Sequence, residues 1–154
     1  MAETPTCSCG TQEPNRIIFP CAGQANTGQL SNLAALQLTE EGFGSIACTA
    51  LLATGADSLV KNARSADEVV IIDGCPAVCA LKIAQSQGIT PAQHIIVTDC
   101  GIGKAPSKSY TDDDVETVVC ASWRGEGRKK SGTDRDKKKE GPDGGCGCSF
   151  GGPC

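Results

Sequence analysis

Aromatic side chains are nearly missing: three Phe, one Trp and one Tyr make up 3% of 154 residues. A core has to come instead from Ile, Val, Leu and Ala. Histidine occurs once, as His94, and no Ser-His-Asp or Cys-His nucleophile arrangement is visible. An excess of positive charge is missing too. The net charge of −4 and pI near 4.9 argue against nucleic-acid binding, which needs a basic face, and against a basic membrane-surface module. Long apolar runs are absent. The longest candidate, Ile46 to Ala53, is interrupted by Thr49 and falls well short of the roughly 18 residues of a spanning helix. The opening Met-Ala-Glu-Thr-Pro-Thr-Cys has neither a basic nor an apolar leader region, so a cytoplasmic protein without membrane association is expected.

Cysteine is what the chain has in abundance: eleven residues, an odd count. In a reducing cytosol stable disulfides are rare, so these read as metal ligands or reactive thiols rather than as a disulfide framework.

Composition divides the chain into a tail over 1–15, a domain over 16–124 and a Gly/Lys-rich tail over 125–154. The domain holds nearly every large apolar side chain. The C-terminal tail holds nine of the 19 Gly and seven of the 14 basic residues. It cannot bury enough surface to offset its ordering entropy and is expected to be flexible. Its charge run, Arg128 to Lys139, reads as a solvated linker; docking of an acidic protein partner is the alternative.

Within the domain, strand and helix signals alternate. Arg16–Pro20 is short and β-branched and predicts a strand ended by its proline. Asn26 or Thr27 can cap a helix to about Glu41, with Leu30, Leu33, Ala34 and Leu38 on one face. Ser45–Thr49 predicts a weak strand and Gly55–Ala63 a short helix. Glu68–Asp73 is the strongest strand. Pro76–Gln87 reads as a helix with Pro first and Gly88 beyond its end. His94–Asp99 predicts a fourth strand, and Thr111 caps a last helix whose first turn carries Asp112, Asp113 and Asp114. Continuous apolar strands between helices predict an α/β fold: a small three-layer sandwich of about four parallel strands, in the order 2-1-3-4 with right-handed crossovers.

On this scaffold Cys21, Cys48, Cys75 and Cys100 each follow a strand. Carboxyl ends of parallel strands share one edge, where open α/β sheets place ligands. Asp73-Gly74-Cys75-Pro76-Ala77-Val78-Cys79 is the densest motif. Its spacing predicts both sulfurs on one face of the first helical turns, where free N–H groups favour thiolate, the form that binds metal or attacks an electrophile. Convergence of Cys75 and Cys79 with Cys21 and Cys48 is read as a site rather than as packing.

Ile71 to Cys79 strongly resembles the core motif of the DGC-domain proteins, named for their Asp-Gly-Cys. Phe19-Pro20-Cys21-Ala22-Gly23 with Asn26 is similar to that family's first cysteine block, and Ala47-Cys48-Thr49-Ala50 to its second. The likeness runs from about Arg16 to Val119. It implies zinc held by Cys21, Cys48, Cys75 and Cys79 and names no reaction. Four thiolates around Zn²⁺ form a closed tetrahedral site, a structural rather than catalytic arrangement; the same ligands suit an iron–sulfur cluster. The alternative reading is a thiol redox enzyme or sulfur or metal carrier. There Cys75 is the nucleophile and Cys79 or Cys100 the resolving thiol. An iron–sulfur accessory subunit docked through its tails is the third.

Cys7, Cys9, Cys146, Cys148 and Cys154 lie on the tails, where cysteine has no packing role; they read as a second soft-metal or thiol site. Gly101-Ile102-Gly103-Lys104 follows a strand but lacks the spacing of a phosphate loop. Lys104 or Lys108 at that edge is nonetheless placed to attract an anion. His94 is expected to be structural, Cys120 to pack beneath the last helix and Trp123 to close the domain.

Overall fold

The computed structural model describes residues 14–129. Four strands form one sheet: β1 (Arg16–Pro20), β2 (Ser45–Ile46), β3 (Glu68–Asp73) and β4 (Gln93–Ile96). The order is β2-β1-β3-β4 and every pairing is parallel. The predicted α/β sandwich and strand order both hold.

Successive side chains of a strand face opposite sides, and β3 uses both. Val70 and Ile72 join Ile18, Ile95 and Val97 against α1 (Asn26–Glu40) and α5 (Asp112–Trp123). Val69 and Ile71 join Phe19 against α2 (Thr49–Ala53), α3 (Asp57–Ser65) and α4 (Cys79–Ser86). An apolar run without polar alternation is thus the signature of a strand covered on both faces. Phe43 is the main aromatic of the first cluster, and Trp123 closes over its edge at 4.8 Å while donating its indole N–H to Glu41 at 2.8 Å. Among the described residues no helix is long and apolar enough to cross a membrane.

Several boundaries differ from expectation. α1 begins as predicted, but neither Asn26 nor Thr27 caps it; Ala25 holds the cap position without a side-chain bond. β2 stops at Ile46, the predicted helix over 55–63 is α3, and an unpredicted helix, α2, precedes it, separated from it at Gly55 with φ +71°. The fourth strand is short. Val97–Cys100 curls into a 3₁₀ turn that drops Val97 into the core. Thr111 caps α5 as read, within a capping box in which Thr111 and Asp114 bond each other's backbone N–H.

The C-terminal boundary also moves. After α5 the chain turns back along β4: Gly127 O accepts the His94 N–H at 3.1 Å, and the Lys129 N–H reaches Ala92 O at 3.2 Å. Arg128 then pairs with Glu68 through two nitrogens at 2.8 and 3.0 Å. Residues 125–129 therefore belong to the domain, where they cover the open edge of β4. The rest of the predicted C-terminal tail, with Cys146, Cys148 and Cys154, lies outside the described residues, as do Cys7 and Cys9.

Candidate metal and thiol site at the sheet edge

The strand order creates a crevice. β1 and β3 are neighbours, yet β1 leads into α1 on one face and β3 into α4 on the other. Their loops diverge, and this switch point is where open parallel sheets bind ligands. Cys21 follows β1 there, and Gly74-Cys75 follows β3.

Each residue of the Asp-Gly-Cys motif has a separate physical task. Asp73 is buried, 1% exposed. Its carboxylate accepts the backbone N–H groups of Ala80 at 2.9 Å and Leu81 at 3.1 Å, and meets His94 Nε2 at 3.0 Å. It caps α4 from the strand end, satisfying first-turn donors that no local side chain serves. His94 takes the structural role expected of it, as the partner of this carboxylate.

Gly74 lies under the start of α1. A Cβ there would stand 2.8 Å from Gly28 N and 2.9 Å from Thr27 C and O. Gly28 in turn faces Gly23, whose Cα would be 2.6 Å from an added Cβ. The three glycines let two loops and a helix start meet by backbone alone.

Cys75 sits in the turn after β3, partly buried, with Lys104 Nζ 3.9 Å from its Sγ. Pro76 does not open the helix. α4 starts at Cys79, after Val78 at φ +47° and ψ +49°. That conformation costs a β-branched residue on the order of 1–3 kcal/mol. Cys75 and Cys79 therefore do not share a helical face as the spacing suggested. The left-handed Val78 instead turns the chain so that exposed Cys79 heads the helix.

Cys21 is the inner thiol. Burial raises its pKa, the backbone N–H of Gly74 bonded to its sulfur pulls the other way, and the negative charge of Asp73, Cys79 and Cys75 nearby raises it further. The net direction is up, and the causes themselves place Cys21, Cys75 and Cys79 within mutual electrostatic reach. Cys48 is exposed at the N-cap of α2, its sulfur accepting the Leu51 N–H at 3.3 Å.

Two cavities flank the crevice. One, about 520 Å³, is lined by Cys21, Cys48 and Cys79; the other, about 560 Å³, by Cys21, Cys75, Cys79 and Lys104. Cys21 and Cys79 form the wall between them. The edge thus places the four sequence-predicted cysteines along two adjoining cavities, with Cys48 on one side of the Cys21–Cys79 wall and Cys75 on the other. As the side chains stand, no group of three His, Cys, Asp or Glu among the described residues is arranged to hold a metal ion. The donor chemistry fits a soft ion, but the placed sulfurs do not form its coordination shell.

Cys100 stands apart. It packs against the α1/α5 core and its thiol is directed at Ile96 O, 3.7 Å away. Burial pushes its pKa up, helped by Glu126 and Asp99. Sequence reasoning missed Asn26 as a latch. Buried at 2% exposure, it donates to Gly103 O and Ser109 O at 3.0 Å and accepts the Ala105 N–H at 2.7 Å, tying the Lys104 loop to the start of α1. The signal available was a polar Asn-Thr-Gly run inside the first cysteine block.

No solved structure matches the chain. One curated relative is the anaerobic and virulence modulator AnvM of Pseudomonas aeruginosa, 27% identical over 106 residues, covering 69% of this chain and 81% of that protein. The model of the DGC domain matches residues 17–121, most of the described fold and all four edge cysteines. The chain belongs to the DGC domain family.

Proposed function

We propose that this protein binds zinc through Cys21, Cys48, Cys75 and Cys79. The observation that supports this reading is that four cysteines from separate strand and helix ends line two adjoining cavities at one edge of a parallel sheet. Cysteines kept for packing would be buried; Cys48 and Cys79 are exposed and Cys21 and Cys75 partly so. A thiol has one side-chain torsion, and rotation about it redirects the sulfur without backbone movement. Ligation is then a closing of side chains from fixed element ends. Bound zinc would cross-link β1, α2, β3 and α4 and stabilise the fold by mass action. Lys104 and the Gly74 N–H would offset part of the charge of four thiolates.

The thiol-enzyme reading keeps one observation in its favour, the Lys104 ammonium 3.9 Å from the Cys75 sulfur. Cys100, half-buried and packed on the core, is poorly placed to serve as its resolving thiol. Metal analysis of full-length protein purified anaerobically separates the readings. Stoichiometric zinc in colourless protein supports ours. Brown protein containing iron replaces zinc with a cluster. Metal-free protein with one fast-alkylating cysteine overturns metal binding.

A further inference from the structure

The cavity that holds Cys75 and Lys104 has features that thiol or metal chemistry does not use. α1 begins at its wall. This helix of 15 residues has no side-chain cap and no acidic residue in its first turn, so no side-chain charge offsets its positive end beside the cavity. Thr27, in that first turn, is 1% exposed and lines the cavity, and its hydroxyl has no partner among the described residues. Because Thr27 lines the cavity, a partner for this hydroxyl can come from that space.

The loop between β1 and α1 is arranged in the same sense. Its acceptors are turned back into the protein: Ser31 Oγ donates to Cys21 O, and Gln29 Nε2 to Gly23 O at 2.7 Å. No backbone acceptor among the described residues takes the N–H of Gly23, Gln24 or Thr27. Gly23, Gly28 and Gly74 let this loop, the start of α1 and the turn after β3 meet backbone to backbone beside the cavity. Across the cavity, the Asn26 latch fixes the backbone on both sides of Lys104, whose exposed side chain lines the space. Donors and positive charge thus converge from three segments, and no carboxylate lines the space.

We infer that this cavity is a binding subsite for a small oxyanion, a phosphate, sulfate or carboxylate group. Lys104, the Thr27 hydroxyl and the N–H groups of Gly23, Gln24 and Thr27 would hold it beside Cys75. A ligand reaching the thiols would then be an acidic small molecule, recognised by its anion. The inference needs no metal. Zinc content measured on the same samples keeps its failure distinct from that of zinc binding.

The test compares two alkylating reagents on full-length protein, with peptide mapping of each cysteine. Iodoacetate carries the anion, and iodoacetamide is its neutral twin. The iodoacetate-to-iodoacetamide rate ratio at Cys75 should exceed that at Cys48, which lines the other cavity, by about tenfold, the scale of one charged hydrogen bond. Inorganic phosphate should abolish the excess, as should Lys104→Gln. Thr27→Val should reduce it severalfold, and Lys108→Gln, exposed and outside the cavity, should leave it unchanged. Melting curves of each variant establish that it is folded. Equal ratios at Cys75 and Cys48, or an excess at Cys75 that survives Lys104→Gln in folded protein, would overturn the subsite.

Discussion

Gly74→Ala tests the account where fold and site meet. An alanine Cβ would stand 2.8 Å from Gly28 N and 2.9 Å from Thr27 C and O. All three are backbone atoms, so no side chain can swing aside. The helix start itself is pinned, because Asn26 bonds three backbone groups of the facing loop. Relief must come from moving α1 or the Gly74 turn, and the cost belongs at the upper end of overpacking, about 2–3 kcal/mol. For a domain of this size that lowers the melting temperature by roughly 8–12 °C. Movement of the turn also weakens the Gly74 N–H bond to Cys21, so zinc content should fall with stability. Scanning calorimetry of Gly74→Ala beside Gly103→Ala is the assay, because an added Cβ at Gly103 meets nothing within 4 Å. The control should melt within about 2 °C of the parent. If Gly74→Ala does the same, the glycine is not there for close approach and the reasoning fails.

Three further outcomes follow from named contacts. Asp73→Asn keeps one acceptor oxygen for three donors and should destabilise by about 1–3 kcal/mol, with amide exchange fastest at Ala80 and Leu81; unchanged exchange there would remove the capping role. Thr111→Ala breaks the capping box of α5 and should cost about 1 kcal/mol in urea unfolding, with no change in metal content. Burial raises the pKa of Glu68, but Arg16 and Arg128 outweigh it and hold the carboxyl below its ordinary value of 4.5. A lowered folded pKa gives stability that is present above the unfolded value and lost as pH falls through the folded one. Glu68→Gln should therefore flatten the acid side of the stability–pH curve, and an unaltered slope below about pH 4.5 would show the pairs to be idle.

How much of this was legible in the sequence depended on where the determinants lay. β3 was read to the residue, because a strand buried on both faces is a continuous β-branched run with no competing pattern. The strand order and the shared edge of the cysteines came from the same alternation. The helix at Pro76 was misread because a favourable first-position proline is a local signal, whereas the real start at Cys79 is set from outside the helix by Asp73 and the left-handed Val78. Asn26 was read as a cap for a similar reason. Its amide could serve its own helix, but the loop after β4 offered three better partners 77 to 83 residues away. The seating of residues 125–129 on β4 depends on Gly127 at φ +70° and on Arg128 finding Glu68, neither visible in a Gly/Lys-rich composition.

X-ray absorption at the zinc edge of the full-length protein addresses the central claim most directly, with Cys75→Ser and Cys148→Ser measured in parallel. The account predicts one zinc per chain with four sulfur neighbours at about 2.3 Å, lost or reduced to three sulfurs in Cys75→Ser and unchanged in Cys148→Ser. A shell of nitrogen and oxygen, or a four-sulfur shell that survives Cys75→Ser and vanishes in Cys148→Ser, would contradict it and move the metal from the sheet edge to the tail.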